Sequence, residues 1–102
     1  MIRLIASDLD DTLLNRDGQI SGVNREVIRE AVAQGIVFAI VTGRMFKSAV
    51  PFALELGLDR HQPIICYNGA LIRRLSGETL YESYLSPELA QAVAEHGRRR
   101  GW

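Results

Sequence analysis

The sequence has 102 residues, 47% of them hydrophobic and 24% charged, with 12 Lys+Arg balanced by 12 Asp+Glu. That is the make-up of one small soluble domain with a single core. It excludes the basic excess expected of a nucleic-acid or anionic-membrane binder, and a lone cysteine, Cys66, excludes an internal disulfide.

The apolar run after Met1 is too short for a signal peptide and soon meets Asp8, and no segment approaches the length of a membrane span. With one unpaired cysteine, a cytoplasmic setting is expected.

In chain order, Ile2–Ser7 reads as a buried strand, apolar on both faces apart from Arg3. It ends in Asp8-Leu9-Asp10-Asp11-Thr12, a cluster of like charges of the kind a hard divalent cation gathers. Asn15-Arg16-Asp17-Gly18 then predicts a tight turn between Leu13-Leu14 and Gln19-Ile20. Ser21–Gln34 reads as a helix, with Ser21 as N-cap and Gly35 past its end. Its Val23, Val27, Ile28 and Ala31 share the core face, while Arg25, Glu26, Arg29 and Glu30 face water. Ile36–Val41 is a second buried strand, so strand, helix and strand form a right-handed parallel unit.

Thr42-Gly43-Arg44 follows, then a helix to about Leu56. Phe46, Ala49, Val50, Ala53 and Leu54 form its buried stripe, Pro51 bends it or marks a late start, and Gly57 stops it. Pro63–Tyr67 is a third strand, ending in Asn68-Gly69-Ala70. Three strands therefore end in Asp8/Asp10, Thr42/Gly43 and Asn68/Gly69. Ligands of open parallel sheets lie beyond the carboxyl ends of the strands, so these clusters share one crevice. Ala70–Arg74 and Thr79–Tyr84 flank Ser76-Gly77 as a hairpin. Ser86-Pro87-Glu88 opens a last helix with Leu89, Ala92, Val93 and His96 on its apolar stripe. Cys66 reads as a core residue and His61 as a surface one, with Arg98-Arg99-Arg100 matched to the helix dipole.

Asp8-Leu9-Asp10-Asp11-Thr12-Leu13-Leu14 resembles the first motif of the haloacid dehalogenase-like (HAD) superfamily. Val41-Thr42-Gly43-Arg44 is similar to the second motif, and Tyr67-Asn68-Gly69-Ala70 to a signature of the Cof-type sugar-phosphatase branch. The motifs fall in the family's order and cover essentially the whole chain. The family's usual Gly is Asp11 here, a residue that tolerates unusual turn geometry.

The resemblance implies an α/β fold: a Rossmann-like three-layer parallel sheet, as an incomplete HAD core (residues 1–83) plus the first helix of a cap domain (84–102). It implies a magnesium-dependent phosphomonoester hydrolase acting on a small phosphorylated metabolite. Asp8 would be the nucleophile that forms an aspartyl-phosphate, and Asp10 the acid and then the base. Mg2+ would sit on Asp8 and Asp10. Thr42 and Gly43 would bind phosphate at a helix N-terminus, and Arg44, Asn68 and Gly69 substrate.

Members of this branch are more than twice as long and carry a later catalytic lysine and acidic pair. Neither motif occurs here, and the only lysine, Lys47, is not expected to replace the former. Asp11 points away from Asp8 and Asp10 by alternation. The expectation is a truncated chain with weak metal binding and little turnover. The alternative is a non-catalytic remnant or interaction module. Either way the first strand has an open edge, which predicts a homo-oligomer or pairing with a complementary fragment.

Overall fold

The computed structural model describes all residues, Met1–Trp102. Its centre is a five-stranded sheet of β1 (Leu4–Ser7), β2 (Val37–Val41), β3 (Pro63–Cys66), β4 (Leu71–Arg74) and β5 (Thr79–Glu82), paired in that order. The first three strands are parallel, with Ser7 opposite Ile40 and Val41 opposite Ile65. The last two are antiparallel, as the expected hairpin requires, with a register irregularity at Ile72/Arg73.

The two crossovers run through α1 (Gly22–Ala33) and α2 (Phe46–Glu55). Right-handed crossovers taken in the same direction put both helices on one face of a sheet. Phe38, Ile40, Ile64 and Cys66 point to that face and are buried with Leu9, Ala49, Ala53 and Leu56. Apolar residues on the other face, such as Leu4 and Val37, are exposed. The α/β, Rossmann-like class with an incomplete core is thus what is found. β1 is the open edge strand that was expected, and although its apolar pattern reads as that of a strand covered on both sides, helices lie on one face only.

The helix boundaries follow from local chemistry. Ser21 and Ser86 cap their helices through Oγ, which accepts from Asn24 N–H and Leu89 N–H at 3.2 Å each. All three helices end in the same left-handed glycine device. In α1, Gly35 N–H donates to Val32 O and Ile36 N–H to Ala31 O. Gly57 and Leu58 repeat the pair on Leu54 O and Ala53 O. Gly101 and Trp102 repeat it on Arg98 O and Gly97 O. The glycines have φ of 85°, 72° and 75°. Pro51 lies inside α2, which runs on through it.

Three expected stripes are not buried as read. Val23 and Val27 of α1 are exposed, Val27 on the wall of an open cavity it shares with Ile5, Ser7 and Phe38. Leu54 of α2 is exposed on the helix's outer side. No residue of α3 (Pro87–Arg99) is buried, since that helix stands away from the sheet. This explains a radius of gyration of 16.3 Å, against about 13 Å for a compact domain of this length. His96, expected in a core, instead meets the Trp102 ring edge-on at 5.9 Å.

Two arginines expected to face water do structural work. Arg25 Nη2 donates to Glu55 Oε1 at 2.7 Å and Arg29 Nη2 to Glu55 O at 2.8 Å, tying α1 to the end of α2. Gln62 is buried and its Oε1 accepts from Phe38 N–H at 2.9 Å, closing a backbone donor of β2 that no strand reaches. No helix is long and apolar enough to cross a membrane.

Candidate functional site

Because β1, β2 and β3 are parallel, their carboxyl ends lie on one side of the sheet, and each runs into a polar turn. After β1, Asp8 is exposed and extended (φ −68°, ψ 157°), and its Oδ1 accepts from Leu9 N–H at 2.8 Å. Leu9 is fully buried and anchors the turn. The backbone then loops out and returns, closed by Leu14 N–H donating to Leu9 O at 2.9 Å. Asp11 supplies the reversal with φ of 60°, the left-handed geometry that Asp adopts more readily than most residues. The loop continues into the expected turn: Leu14 bridges Ile20, and Asn15 Oδ1 accepts from the Asp17 and Gln19 N–H groups.

At the end of β2, Thr42 is 3% exposed. Its N–H donates to Ile65 O, and its Oγ1 accepts from Arg44 N–H at 3.0 Å, which leaves the hydroxyl proton free to donate. Gly43 N–H donates to no group of the chain. α2 begins only at Phe46, so Thr42 and Gly43 sit in the loop before the helix rather than at its first turn, as the sequence suggested.

At the end of β3, Tyr67, Asn68 and Gly69 have φ of 50°, 55° and 97°. Of these three successive left-handed residues, Tyr67 and Asn68 each cost on the order of 1 kcal/mol or more and persist only where surroundings enforce them, while Gly69 adopts the conformation freely. Here the enforcing bonds are Tyr67 N–H to Arg44 O and Asn68 N–H to Thr42 O, both 3.2 Å. They bring the Asn68 side chain over Gly43. A Cβ on residue 43 would lie 3.1 Å from Asn68 Oδ1, so only glycine leaves that amide undisturbed. The turns after β2 and β3 are thus one interlocked unit in which Asn68 joins Thr42 and Gly43, with Gly69 next to it in the chain.

Arg44 reaches across to the turn after β1. Its Nε donates to Asp10 Oδ2 at 2.8 Å and its Nη2 to Asp10 Oδ1 at 2.7 Å, a bidentate pair. The guanidinium also lies 5.1 Å from the centre of the Phe52 ring. The Arg44 hydrogen bonds hold the Asp10 carboxyl below the ordinary carboxylate value. In this arrangement Asp10 accepts hydrogen bonds and donates none. The sequence named Arg44 and Asp10 separately; their pairing spans 34 positions, and no local pattern reveals it.

Asp8 and Asp10 gather no third ligand: no group of three or more His, Cys, Asp or Glu side chains comes together in the chain, Asp11 included. Lys47, the second residue of α2, lies on the wall of a cavity beside that helix. Cys66 is fully buried, as expected, and burial pushes its thiol pKa up.

A family model described as haloacid dehalogenase-like hydrolase matches residues 5–101. The chain belongs to the haloacid dehalogenase-like hydrolase family. It is 35% identical over 95 residues to the 5-amino-6-(5-phospho-D-ribitylamino)uracil phosphatase YwtE of Bacillus subtilis, covering 93% of this chain and 32% of that protein. It is 34% identical to an HMP-PP phosphatase of Cronobacter sakazakii, covering 95% of this chain and 35% of the relative. Among solved structures, a haloacid dehalogenase-like hydrolase of Bacteroides thetaiotaomicron superposes with a TM-score of 0.91 at 36% identity, over 97% of this chain and 38% of that one. The chain spans about a third of the length of the curated relatives it matches.

Proposed function

We propose that residues 1–102 carry the nucleophile half of a magnesium-dependent phosphomonoester hydrolase that acts on a small phosphorylated metabolite. The observation that carries this reading is the interlocked turn of Thr42, Gly43 and Asn68, tied through Arg44 to Asp10 on the turn that follows the adjacent β1 and also carries Asp8. Thr42 offers a hydroxyl proton and Gly43 an uncommitted N–H, two donors for phosphate oxygens. Asp8 is the exposed carboxylate at the strand end, held by one N–H and open on its other oxygen. It attacks phosphorus and takes the phosphoryl group while the alkoxide leaves.

Asp10, once it has taken up a proton from solvent, protonates that alkoxide and then, as the carboxylate, takes a proton from the water that hydrolyses the aspartyl-phosphate. To do so it must leave Arg44, and a phosphate at Thr42–Gly43 is an anion that competes for the same guanidinium. The donor set suits a hard cation: the Asp8 carboxylate and the Asp10 main-chain carbonyl are oxygen ligands, and Mg2+ keeps waters readily. Once bound, the metal neutralises charge between nucleophile and phosphate. These ligands make half a site, so metal binding is weak and steady-state turnover by these 102 residues is slight. The relatives named above act, by their names, on a phosphoribityl uracil derivative and on HMP-PP. They support a small phosphorylated substrate and leave its identity open.

The same half-site supports a second reading, a non-catalytic module. Its supporting observation is the free edge of β1 with the apolar face carrying Leu4 and Val37 beside it. Such an edge pairs with a second copy or a complementary fragment. Sedimentation that shows a clean monomer at high concentration rules the association out. Residues 1–83 form the core portion and 84–102 the start of a cap in this account.

The reading is tested by titrating 15N-labelled protein with inorganic phosphate and Mg2+. The amides of Thr42, Gly43 and Arg44 are expected to shift together. Shifts confined to other surfaces overturn it.

A further inference from the structure

Phe52 makes a contact at the candidate site that the packing of α2 does not require. The core side of that helix is Ala49, Ala53 and Leu56, each fully buried. Phe52 packs at the edge of this cluster and is only partly buried. Its ring centre lies 5.1 Å from the guanidinium carbon of Arg44, the side chain that reaches from the turn after β2 to Asp10.

This contact supplies what the ion pair lacks. The Asp10 side chain is 53% exposed and that of Arg44 34%. Exposed ion pairs contribute little and seldom hold two side chains in one geometry, and arginine loses much rotamer freedom when it is fixed. The Cα end of Arg44 is fastened, since its N–H donates to Thr42 Oγ1 at 3.0 Å and its carbonyl accepts from Tyr67 N–H at 3.2 Å. The far end has only Asp10 and the Phe52 ring. A ring attracts a cation without using any of its N–H groups. Of the five N–H groups of a guanidinium, two donate to Asp10 and the others donate to no group of the chain. The ring therefore holds the cation in place and leaves its hydrogen bonds free to change partners.

We infer that Phe52 is a positioning residue for Arg44. It is the fixed point on which the guanidinium rests while it releases Asp10 and turns to a phosphate oxygen at Thr42–Gly43. The inference rests on the phosphomonoester reading, in which Asp10 has to leave Arg44 before it acts. Without the ring, a guanidinium released from Asp10 samples solvent, and phosphate has to order it anew.

The test follows the Arg44 Nε–H signal of the 15N,13C-labelled 102-residue protein, with Mg2+ and inorganic phosphate as the probe; Arg44→Lys identifies the signal by its loss. In the parent, nuclear Overhauser contacts between the Phe52 ring and the Arg44 side chain persist to saturating phosphate while the Nε–H signal shifts. Phe52→Leu keeps apolar bulk at the core edge. It is expected to speed exchange of that N–H with water and to weaken phosphate binding about two- to fivefold, the size of one partly exposed cation–ring contact. Phe52→Tyr restores both, and urea unfolding of each variant separates these effects from packing alone. Ring contacts that vanish as phosphate binds overturn the inference, and this arm needs no variant to fold. So does a Phe52→Leu protein of lower stability that keeps the parental Nε–H exchange and phosphate affinity. If Phe52→Leu moves the Arg44 signal while phosphate shifts neither that signal nor Thr42–Arg44 in the parent, Phe52 still positions Arg44 and the phosphomonoester reading falls.

Discussion

Replacing Thr42 by Val removes one oxygen and changes little else, because the two side chains are nearly the same shape. The site is 3% exposed, so no water replaces the lost hydroxyl. The oxygen accepts from Arg44 N–H at 3.0 Å, and that donor is left without a partner. An unmet buried donor costs about 1–3 kcal/mol. Arg44 is partly exposed, which places the cost near the lower end, about 1 kcal/mol. For a domain of this size the urea midpoint then falls by roughly 0.5–1 M. Loss of a hydrogen bond to a charged phosphate costs a further ~1.5–3 kcal/mol of binding, about ten- to a hundredfold in affinity. Thr42→Ser keeps the oxygen and is expected to retain most of both. Urea unfolding gives the first quantity and calorimetric titration with phosphate the second. A folded Thr42→Val protein that binds phosphate as tightly as the parent refutes the role given to this hydroxyl.

Other outcomes follow from neighbouring contacts. Gly43→Ala brings a Cβ to 3.1 Å from Asn68 Oδ1, so the amide must move aside; phosphate binding is expected to weaken more than stability, as parallel titration and urea unfolding can show. Leu56 is fully buried between α2 and the sheet, so Leu56→Ala is expected to cost about 3 kcal/mol, much of what a small domain has to lose, readable by thermal or urea unfolding. Asp59 accepts from His61 N–H at 2.7 Å, a bond that holds its pKa below the ordinary 3.8. A depressed carboxylate stabilises the folded state above its unfolded pKa and loses that contribution as pH falls through the folded value. The loop at residues 59–62 is therefore expected to keep its amide protection at neutral pH and lose it below about pH 3.8, and Asp59→Asn removes this dependence.

Much of the fold was legible because it is written in local chemistry. Ser21 and Ser86 name helix starts, Gly35, Gly57 and Gly101 name helix ends, and the runs around Ile5, Phe38 and Ile64 name strands. Asp8, Thr42 and Asn68 fall at strand ends, so parallel topology alone gathers them on one side. What stayed hidden depends on partners distant in sequence. Val23, Val27, Leu89 and Val93 form genuine amphipathic faces, but a face does not say whether anything covers it. Arg25 and Arg29 read as solvent-facing until α2 arrives with Glu55. Gln62 looks like a loop residue, yet it supplies the acceptor for Phe38 N–H. The Arg44–Asp10 pair and the left-handed Tyr67 carry no composition signal at all.

In the proposed function Asp8 accepts a phosphoryl group within a half-complete magnesium site. The direct measurement is intact-protein and peptide mass spectrometry after incubating the chain with acetyl phosphate and Mg2+. One added phosphoryl group is expected on the peptide bearing Asp8, absent without Mg2+ and absent in Asp8→Asn, with turnover barely above background. Equal labelling of the parent and Asp8→Asn, or rapid hydrolysis that survives that substitution, contradicts it.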